Sequence, residues 1–254
     1  MAIDAIDLPV LFHWARGRAF SGSLLTLGRQ DVTVSADEAR RIADRCRFSL
    51  SGSLSGDGAL SDDALFRALG FADLWSLDAD GYEGARIIHD LNNPNPPLGA
   101  EDRFDFILDR GVSDIVFDFP ACLSSLTRMV RVGGHVIHFL PSSNHVETGY
   151  VMPSPNAFSA FYRANGFRLD TLWLVRQPWL DRWPVIDVYD YLDAGQRALD
   201  GVRLDEAGYQ IFFVAQRLPE STHDAIPAPP AAGGAEKAAP ELSRRLPRVL
   251  RFAR

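Results

Sequence analysis

Carboxylate side chains stand at the ends of three successive apolar segments of this 254-residue sequence. Asp78 ends the segment ADLWSLD, Asp90 follows ARIIH, and Asp109 ends FDFILD. A carboxylate accepts two hydrogen bonds at once, which suits Asp78 to a ribose diol and Asp90 to an adenine amino group. Asp109 comes where an amine or a substrate could bind. Gly28 closes an earlier apolar segment, and a residue without a side chain lets a ligand approach the backbone closely.

These side chains converge only if the segments before them are strands of one sheet. Short apolar runs alternate with amphipathic runs over residues 21–179, which predicts strands alternating with helices in a mainly parallel sheet. We expect a doubly wound α/β domain with seven strands. The last two strands, 168–179 and 208–219, are expected to close one edge as an antiparallel pair. Ligands of such sheets bind beyond the carboxyl ends of the strands, near the point where the strand order reverses.

The sequence also marks where several helices begin and end. Ser35 and Ser61 each precede acidic residues and a helical run, as N-caps do. Gly70 and Gly166 are typical residues at which a helix stops. The predicted helices therefore fit between the predicted strands.

The loop SSNHVETGY, after the fourth core strand, carries candidate acceptor-binding residues. His145 is a candidate general base, because histidine changes its protonation near neutral pH. Asn144, Glu147 and Tyr150 could bind polar groups of a substrate. His138 alternates with apolar residues inside the strand, which favours a packed or hydrogen-bonded strand residue.

The stretch from Leu24 to Val175 resembles the class I S-adenosylmethionine-dependent methyltransferases. The segments LLTLGRQDV, LWSLDADGYEGARIIHDLN and RMVRVGGHVIHFLPSSNHV carry the resemblance. It implies a Rossmann-like fold with S-adenosyl-L-methionine as the cofactor. The cofactor-binding residues that it implies are Gly28, Gln30, Asp78, Asp90, Leu91 and Asp109. Asp109 and His145 are the candidate catalytic residues.

The first cofactor loop departs from the family pattern. A GxGxG-type run is usual, whereas this chain has LGRQD, so that Arg29 and Gln30 add bulk beside the expected methionine portion. After Gly111, the sequence VSDI replaces a Glu-His pair. Thr148 stands where a second histidine is common. These departures indicate a diverged member, or one that has lost activity.

Two functions therefore stay open. The first is methyl transfer to a hydroxyl or amine of a small molecule or sugar in a bacterial biosynthetic pathway. The second is a catalytically inactive homologue that binds or scaffolds a partner enzyme. A dehydrogenase is disfavoured because the first turn lacks GxGxxG.

Composition excludes several other classes. A net charge of -7 argues against a general nucleic-acid binder. The N-terminus does not resemble a signal peptide, and no segment approaches the roughly 20 apolar residues of a spanning helix, so we expect a cytoplasmic protein. Cys46 and Cys122 are far apart, and no His, Cys, Asp or Glu cluster has metal-ligand spacing, so no metal is expected.

One domain is predicted over residues 1–218, with an aromatic and acidic insertion at 180–207. Residues 219–254 form a Pro/Ala-rich linker and an arginine-rich tail, for which we expect no stable structure. The insertion or the tail could contact a partner protein or a second copy of the chain in a homodimer.

Overall fold

The computed structural model describes residues 2–18, 20–54, 60–146, 148–177, 186–192, 204–229 and 248–252. Their helices are α1 (Asp7–Ala15), α2 (Ala36–Arg45), α3 (Asp62–Leu69), α4 (Phe119–Met129) and α5 (Pro155–Ala164), with a 3-10 turn at Ser113–Ile115. Their strands are β1 (Ala2–Ile3), β2 (Ser23–Leu27), β3 (Asp31–Val32), β4 (Asp73–Asp78), β5 (Ile87–Ile88), β6 (Phe104–Asp109), β7 (Val130–Ser143), β8 (Arg168–Gln177), β9 (Ile186–Asp190), β10 (Gly208–Gln216) and β11 (Arg248–Phe252). No helix within these ranges has the length and apolar character needed to cross a membrane.

The predicted helix ends are confirmed by their hydrogen bonds. The hydroxyl of Ser35 accepts from the backbone N–H of Glu38, and that of Ser61 accepts from Ala64, each at 3.2 Å. Gly70 ends α3 in the left-handed region, with a φ of 115°. These contacts satisfy backbone groups that a helix leaves unpaired at its ends.

The main sheet is an α/β sheet with the order β11-β9-β8-β10-β7-β6-β2-β4-β5. The five strands from β7 to β5 are parallel. Numbered along the chain, these five have the spatial order 3-2-1-4-5 of doubly wound proteins. The order reverses between β2 and β6, so the switch point lies where these two strands end.

The predicted seven-stranded sheet with an edge pair needs correction, because the sheet formed by the described residues is mixed and has nine strands. β10 lies between β7 and β8 and is antiparallel to both, so it does not form the edge. β9 and β11 continue the sheet beyond β8. An exposed edge strand has unpaired N–H and C=O groups. β9 pairs with these groups of β8, and β11 pairs with those of β9.

Each face of the sheet has its own apolar core. Leu24 packs in a core with α1, α2 and α3, and the next residue, Leu25, packs in the other core with α4 and α5. Successive side chains of a strand point to opposite faces, so a sheet covered on both sides shows continuous apolar strands. The carboxyl ends of the strands are left to form a site.

The described parts of the predicted linker and tail are attached to the domain. The backbone N–H groups of Thr222 and Ala225 donate to Asn165 at the end of α5, each at 2.9 Å. In β11, Arg248 and Arg251 lie 3.3 and 3.6 Å from the carboxylate of Asp187 in β9. The expectation of no stable structure is therefore wrong for these segments. Residues 180–185 and 193–203 of the predicted insertion, and 230–247 and 253–254 of the predicted tail, lie outside the described residues.

Candidate functional site

Gly28 lies at the switch point, directly after β2. Its N–H donates to the backbone oxygen of Leu77 at 2.7 Å, which holds the turn against β4. Its φ of 67° is in the left-handed region that favours glycine. A Cβ at this position would come 3.6 Å from Oδ2 of Asp78 and 3.8 Å from Cγ2 of Val112. The glycine therefore keeps open a space between the ends of β4 and β6, which we call the glycine cradle.

Asp78 and Asp90 lie on this same edge of the sheet. Asp78 ends β4 half-buried, and the N–H of His89 donates to its backbone oxygen at 2.8 Å. Asp90 is exposed just beyond β5, where hydrogen bonds from the backbone and side chain of Asn92 lower the pKa of its carboxyl. Leu91 is buried beside it. The structure thus brings Gly28 and Asp78 into contact range and places Asp90 one strand further out.

The loop LGRQD is held by internal hydrogen bonds. The guanidinium of Arg29 binds both oxygens of Asp62, at 2.9 Å and 2.6 Å, at the start of α3. Gln30 is buried, and its amide donates to the backbone oxygen of Leu27 at 2.8 Å. The bulk of these residues is therefore bound to neighbouring elements. This geometry favours a loop-stabilising role for Gln30 over the predicted contact with a cofactor.

A polar cleft borders this loop on the α3 side of β2 and β4. Thr26, Ser76, Arg29 and Arg86 contribute to its lining. The hydroxyl of Thr26 donates to the backbone oxygen of Gly28 at 2.9 Å. Hydrogen bonds to Thr26 in β2 and to Leu77 in β4 therefore hold the glycine turn in place.

Asp109 ends β6 with no exposed surface. Its carboxylate accepts hydrogen bonds from the backbone of Val112 (3.2 Å), from the backbone and hydroxyl of Ser113 (3.1 and 2.5 Å), and from Nδ1 of His138 (2.7 Å). Burial opposes ionisation, but the hydrogen bonds from His138 and Ser113 outweigh it and lower the pKa of Asp109. These hydrogen bonds favour a role for Asp109 in shaping the turn after β6, over the direct contact with a ligand that was predicted for it.

His138 connects Asp109 to α5. Its Nε2 lies 2.7 Å from the hydroxyl of Tyr162. Burial raises the pKa of Tyr162, so the phenol keeps its proton. Its hydroxyl donates a hydrogen bond to Nε2 of His138, and Nδ1–H of His138 donates a hydrogen bond to the ionised Asp109. The prediction of a hydrogen-bonded strand residue at His138 is confirmed.

An ion pair attaches the N-terminal helix to the same edge. Arg110 follows Asp109, and its guanidinium lies 3.0 and 3.1 Å from the two oxygens of Asp7 at the start of α1. Burial raises the pKa of Asp7 to about 6, against the opposing charge of Arg110. α1 is thereby fixed beside the turn that follows β6.

Asp114 is a buried acid that the sequence patterns did not single out. Its Oδ1 has no hydrogen-bond partner among the described residues. Burial and the charge of Asp109 raise the pKa of Asp114 to about 6. The loop after β7 covers it: Val151 N–H donates to its backbone oxygen at 3.0 Å, and a Cβ on Gly149 would come 2.9 Å from Oδ2. The only sequence signal was its place in VSDI, where the family pattern changes.

His145 lies in the same covering loop and is buried. Burial and the positive charge of Arg110 lower its pKa, so the imidazole is neutral at pH 7. Thr148 donates from its backbone (3.2 Å) and its hydroxyl (2.8 Å) to the backbone oxygen of His145. Thr148 thus holds the loop in which the candidate base lies. The catalytic role of His145 stays a prediction.

The other predicted acceptor-binding residues separate in the structure. Asn144 has a φ of 61°, and its amide donates to the backbone oxygen of Asp205 at 2.9 Å, so it connects the end of β7 to the segment before β10. Tyr150 is exposed and packs edge-on against Phe117. Glu147 lies outside the described residues. Tyr150 therefore presents an exposed side chain to a ligand, whereas the amide of Asn144 is engaged by the backbone.

The chain is similar to solved structures of low sequence identity. A Bacillus halodurans protein proposed to be a methyltransferase is 10% identical, with a TM-score of 0.45, over 84% of this chain and 99% of its own. The 1,6-didemethyltoxoflavin-N1-methyltransferase of Burkholderia thailandensis, solved with 1,6-didemethyltoxoflavin and S-adenosylhomocysteine, is 11% identical, with a TM-score of 0.39, over 83% and 76%. No protein-family model and no curated protein matches the sequence. The function is therefore inferred from the residues of this chain.

Proposed function

We propose that this chain is an S-adenosylmethionine-dependent methyltransferase that acts on a hydroxyl or amine of a small molecule. The observation that carries the proposal is the glycine cradle, where Gly28 faces Asp78 at the switch point of a 3-2-1-4-5 sheet. Ligands of doubly wound proteins bind at this point. The sequence resemblance in the segments around both residues supports the same cofactor.

The residues of the cradle fit an adenosine-containing cofactor. Gly28 leaves room for a ligand against its backbone, and the half-buried carboxylate of Asp78 can accept from two ribose hydroxyls. Asp90, exposed on the neighbouring strand end, can accept from an adenine amino group, with Leu91 as an apolar neighbour. The bound cofactor would supply an electrophilic methyl group.

Two groups beyond β6 and β7 are suited to take a proton from an acceptor. Asp114 has a pKa of about 6, so its carboxylate is mostly ionised at pH 7. A general base works best when its pKa lies near the operating pH, which is true of this carboxylate. His145 is neutral at pH 7 and lies in the loop that covers Asp114. Methyl transfer depends above all on aligning the nucleophile with the methyl group, and Val112, in the loop that carries Asp114, borders the cradle.

The proposed acceptor is a small molecule or saccharide of a bacterial biosynthetic pathway. The inactive homologue is the second candidate, favoured by the internal hydrogen bonds of Gln30 and Asn144, which occupy two side chains predicted to bind ligands. Such a protein would bind a partner enzyme without binding the cofactor. The two candidates therefore differ in one measurable property.

Calorimetric titration with S-adenosylmethionine and S-adenosylhomocysteine tests the proposal. We expect micromolar binding, and Asp78→Ala should weaken it about 5- to 150-fold, because a charge-assisted hydrogen bond is worth roughly 1–3 kcal/mol. Asp73→Ala, at the opposite end of the same strand, is the matched control and should leave the affinity unchanged. No binding at millimolar ligand would favour the inactive homologue, and equal affinities of the two variants would show that the ribose binds elsewhere.

A further inference from the structure

Two loops beyond the ends of β6 and β7 expose a group of large apolar side chains. One loop lies between β6 and α4 and the other follows β7. We call this cluster the aromatic platform; its members are Ile115, Phe117, Val146, Tyr150 and Met152. Phe117 is 80% exposed and Tyr150 is 72% exposed. Phe117 and Tyr150 contact each other, and exposed apolar groups in contact on a globular protein mark a binding surface.

The two halves of the platform are fixed relative to each other. The rings of Phe117 and Tyr150 meet edge to face, with centroids 5.7 Å apart and an interplanar angle of 79°. Val151 binds the backbone of Asp114 at 3.0 Å, and Gly149 packs against the same residue. A ligand that binds here meets aromatic rings already held in place, which lowers the entropic cost of binding.

The platform is joined to the glycine cradle through the turn that follows β6. Val112, which bounds the cradle, lies in the same turn as Ser113–Ile115 and precedes Phe117 by five residues. Asp114 lies in that same turn, under the loop that carries Tyr150. An acceptor on the platform would therefore present its nucleophile beside both the methyl donor and a buried carboxylate.

We propose that the aromatic platform binds the acceptor, and that the acceptor has a flat, apolar ring system carrying the methylated hydroxyl or amine. This inference rests on the proposed function. A saccharide needs several convergent hydrogen-bonding groups, whereas the platform offers rings, aliphatic side chains and one phenol. A stable protein interface needs about 20–30 residues a side, many more than the five of the platform, so a small ligand is the better occupant.

The neutral probe N-phenyl-1-naphthylamine tests the platform without knowledge of the natural acceptor. Fluorescence titration of the full chain should show one saturable site. Phe117→Ala and Tyr150→Ala should each weaken binding at least fivefold. The controls Tyr82→Ala and Leu98→Ala remove equally exposed apolar side chains from the β4–β5 and β5–β6 connections and should leave binding unchanged. All four side chains are exposed, so thermal melting checks that each variant is folded.

Three outcomes would overturn this inference. They are a probe affinity that neither platform variant changes, the absence of a saturable site, and self-association of the wild type that both platform variants abolish in sedimentation. The last would identify the platform as an interface between copies. S-adenosylhomocysteine titration of the wild type separates the two proposals, because an absence of cofactor binding contradicts the proposed function while leaving the probe result intact.

Discussion

The carboxylate of Asp109 lies 2.7 Å from Nδ1 of His138, and neither side chain has any exposed surface. Tyr162 donates to the other nitrogen of the imidazole at 2.7 Å. The three residues belong to β6, β7 and α5, so one buried chain of hydrogen bonds joins three elements. Because Asp109 also binds the turn at Ser113, this chain sets the position of the loop that carries Asp114 and Phe117.

Replacing His138 by leucine should destabilise the protein by about 3 kcal/mol at pH 7, because a buried ionised carboxylate loses its charge-assisted partner. Hydrogen bonds that lower the pKa of Asp109 stabilise the fold above the unfolded pKa of 3.8, and that stabilisation is lost as the pH falls through the folded pKa. The loss should therefore be full at pH 7 and should shrink below about pH 4. Urea denaturation at several pH values measures it.

Tyr162→Phe is the matched control, since it removes one hydroxyl from the same chain of hydrogen bonds. Its cost should be about 1 kcal/mol, without a comparable change at low pH. A His138→Leu variant as stable as the wild type at pH 7 would show that Asp109 does not depend on His138.

Arg110→Met should destabilise the protein by about 3 kcal/mol at pH 7, because it leaves the buried carboxylate of Asp7 without its cation. The pKa of Asp7 is already raised to about 6, and the loss of Arg110 should raise it further. Below about pH 5 the protonated Asp7 needs no cation, so the difference in unfolding free energy should decrease. Adding Asp7→Asn to the variant should recover most of the loss at pH 7. Denaturation curves that do not change between pH 7 and 5 would contradict this account.

Asp114→Asn should stabilise the protein by about 3 kcal/mol at pH 7. The folded-state pKa of Asp114 is about 6 and the ordinary value is 3.8, so the folded wild type gains stability as the pH falls from about 7 to 4. The uncharged amide lacks this dependence, and the two proteins should be equally stable near pH 4. Asp44→Asn, on the exposed side of α2, is the control for one lost charge. A variant less stable than the wild type at pH 7 would show that the carboxylate has a partner.

Local signals in the sequence were sufficient for several elements. Ser35, Ser61 and Gly70 act through neighbours within four residues, so the helix ends follow from the sequence alone. The alternation of apolar and amphipathic runs likewise predicts that the strands from β2 to β7 are parallel, although it does not predict their order in the sheet. The sequence also predicts that Gly28 and Asp78 lie close together, because both come at the carboxyl ends of parallel strands.

Long-range contacts explain what the sequence left open. β10 lies between β7 and β8 because of pairings as distant as that of Gln216 with His135, for which an isolated strand pattern carries no signal. Asp114 is buried because Gly149, 35 positions later, allows a loop to pack against it. The hydrogen bonds that engage Gln30, Asn144 and Asp109 depend on neighbouring backbone positions and on His138, which residue type alone does not reveal.

Gly28→Ala and Gly99→Ala together separate backbone strain from occupation of the cradle. Both glycines have a positive φ, 67° and 80°, so each alanine should cost about 1 kcal/mol of stability. A Cβ at Gly99 meets nothing within 4 Å, whereas one at Gly28 lies between Asp78 and Val112. We therefore expect Gly28→Ala to weaken S-adenosylhomocysteine binding at least tenfold in calorimetry, and Gly99→Ala to leave it unchanged. If both variants fold and bind S-adenosylhomocysteine equally well, no ligand enters the cradle, because the methyl group added at Gly28 would then not obstruct the ligand.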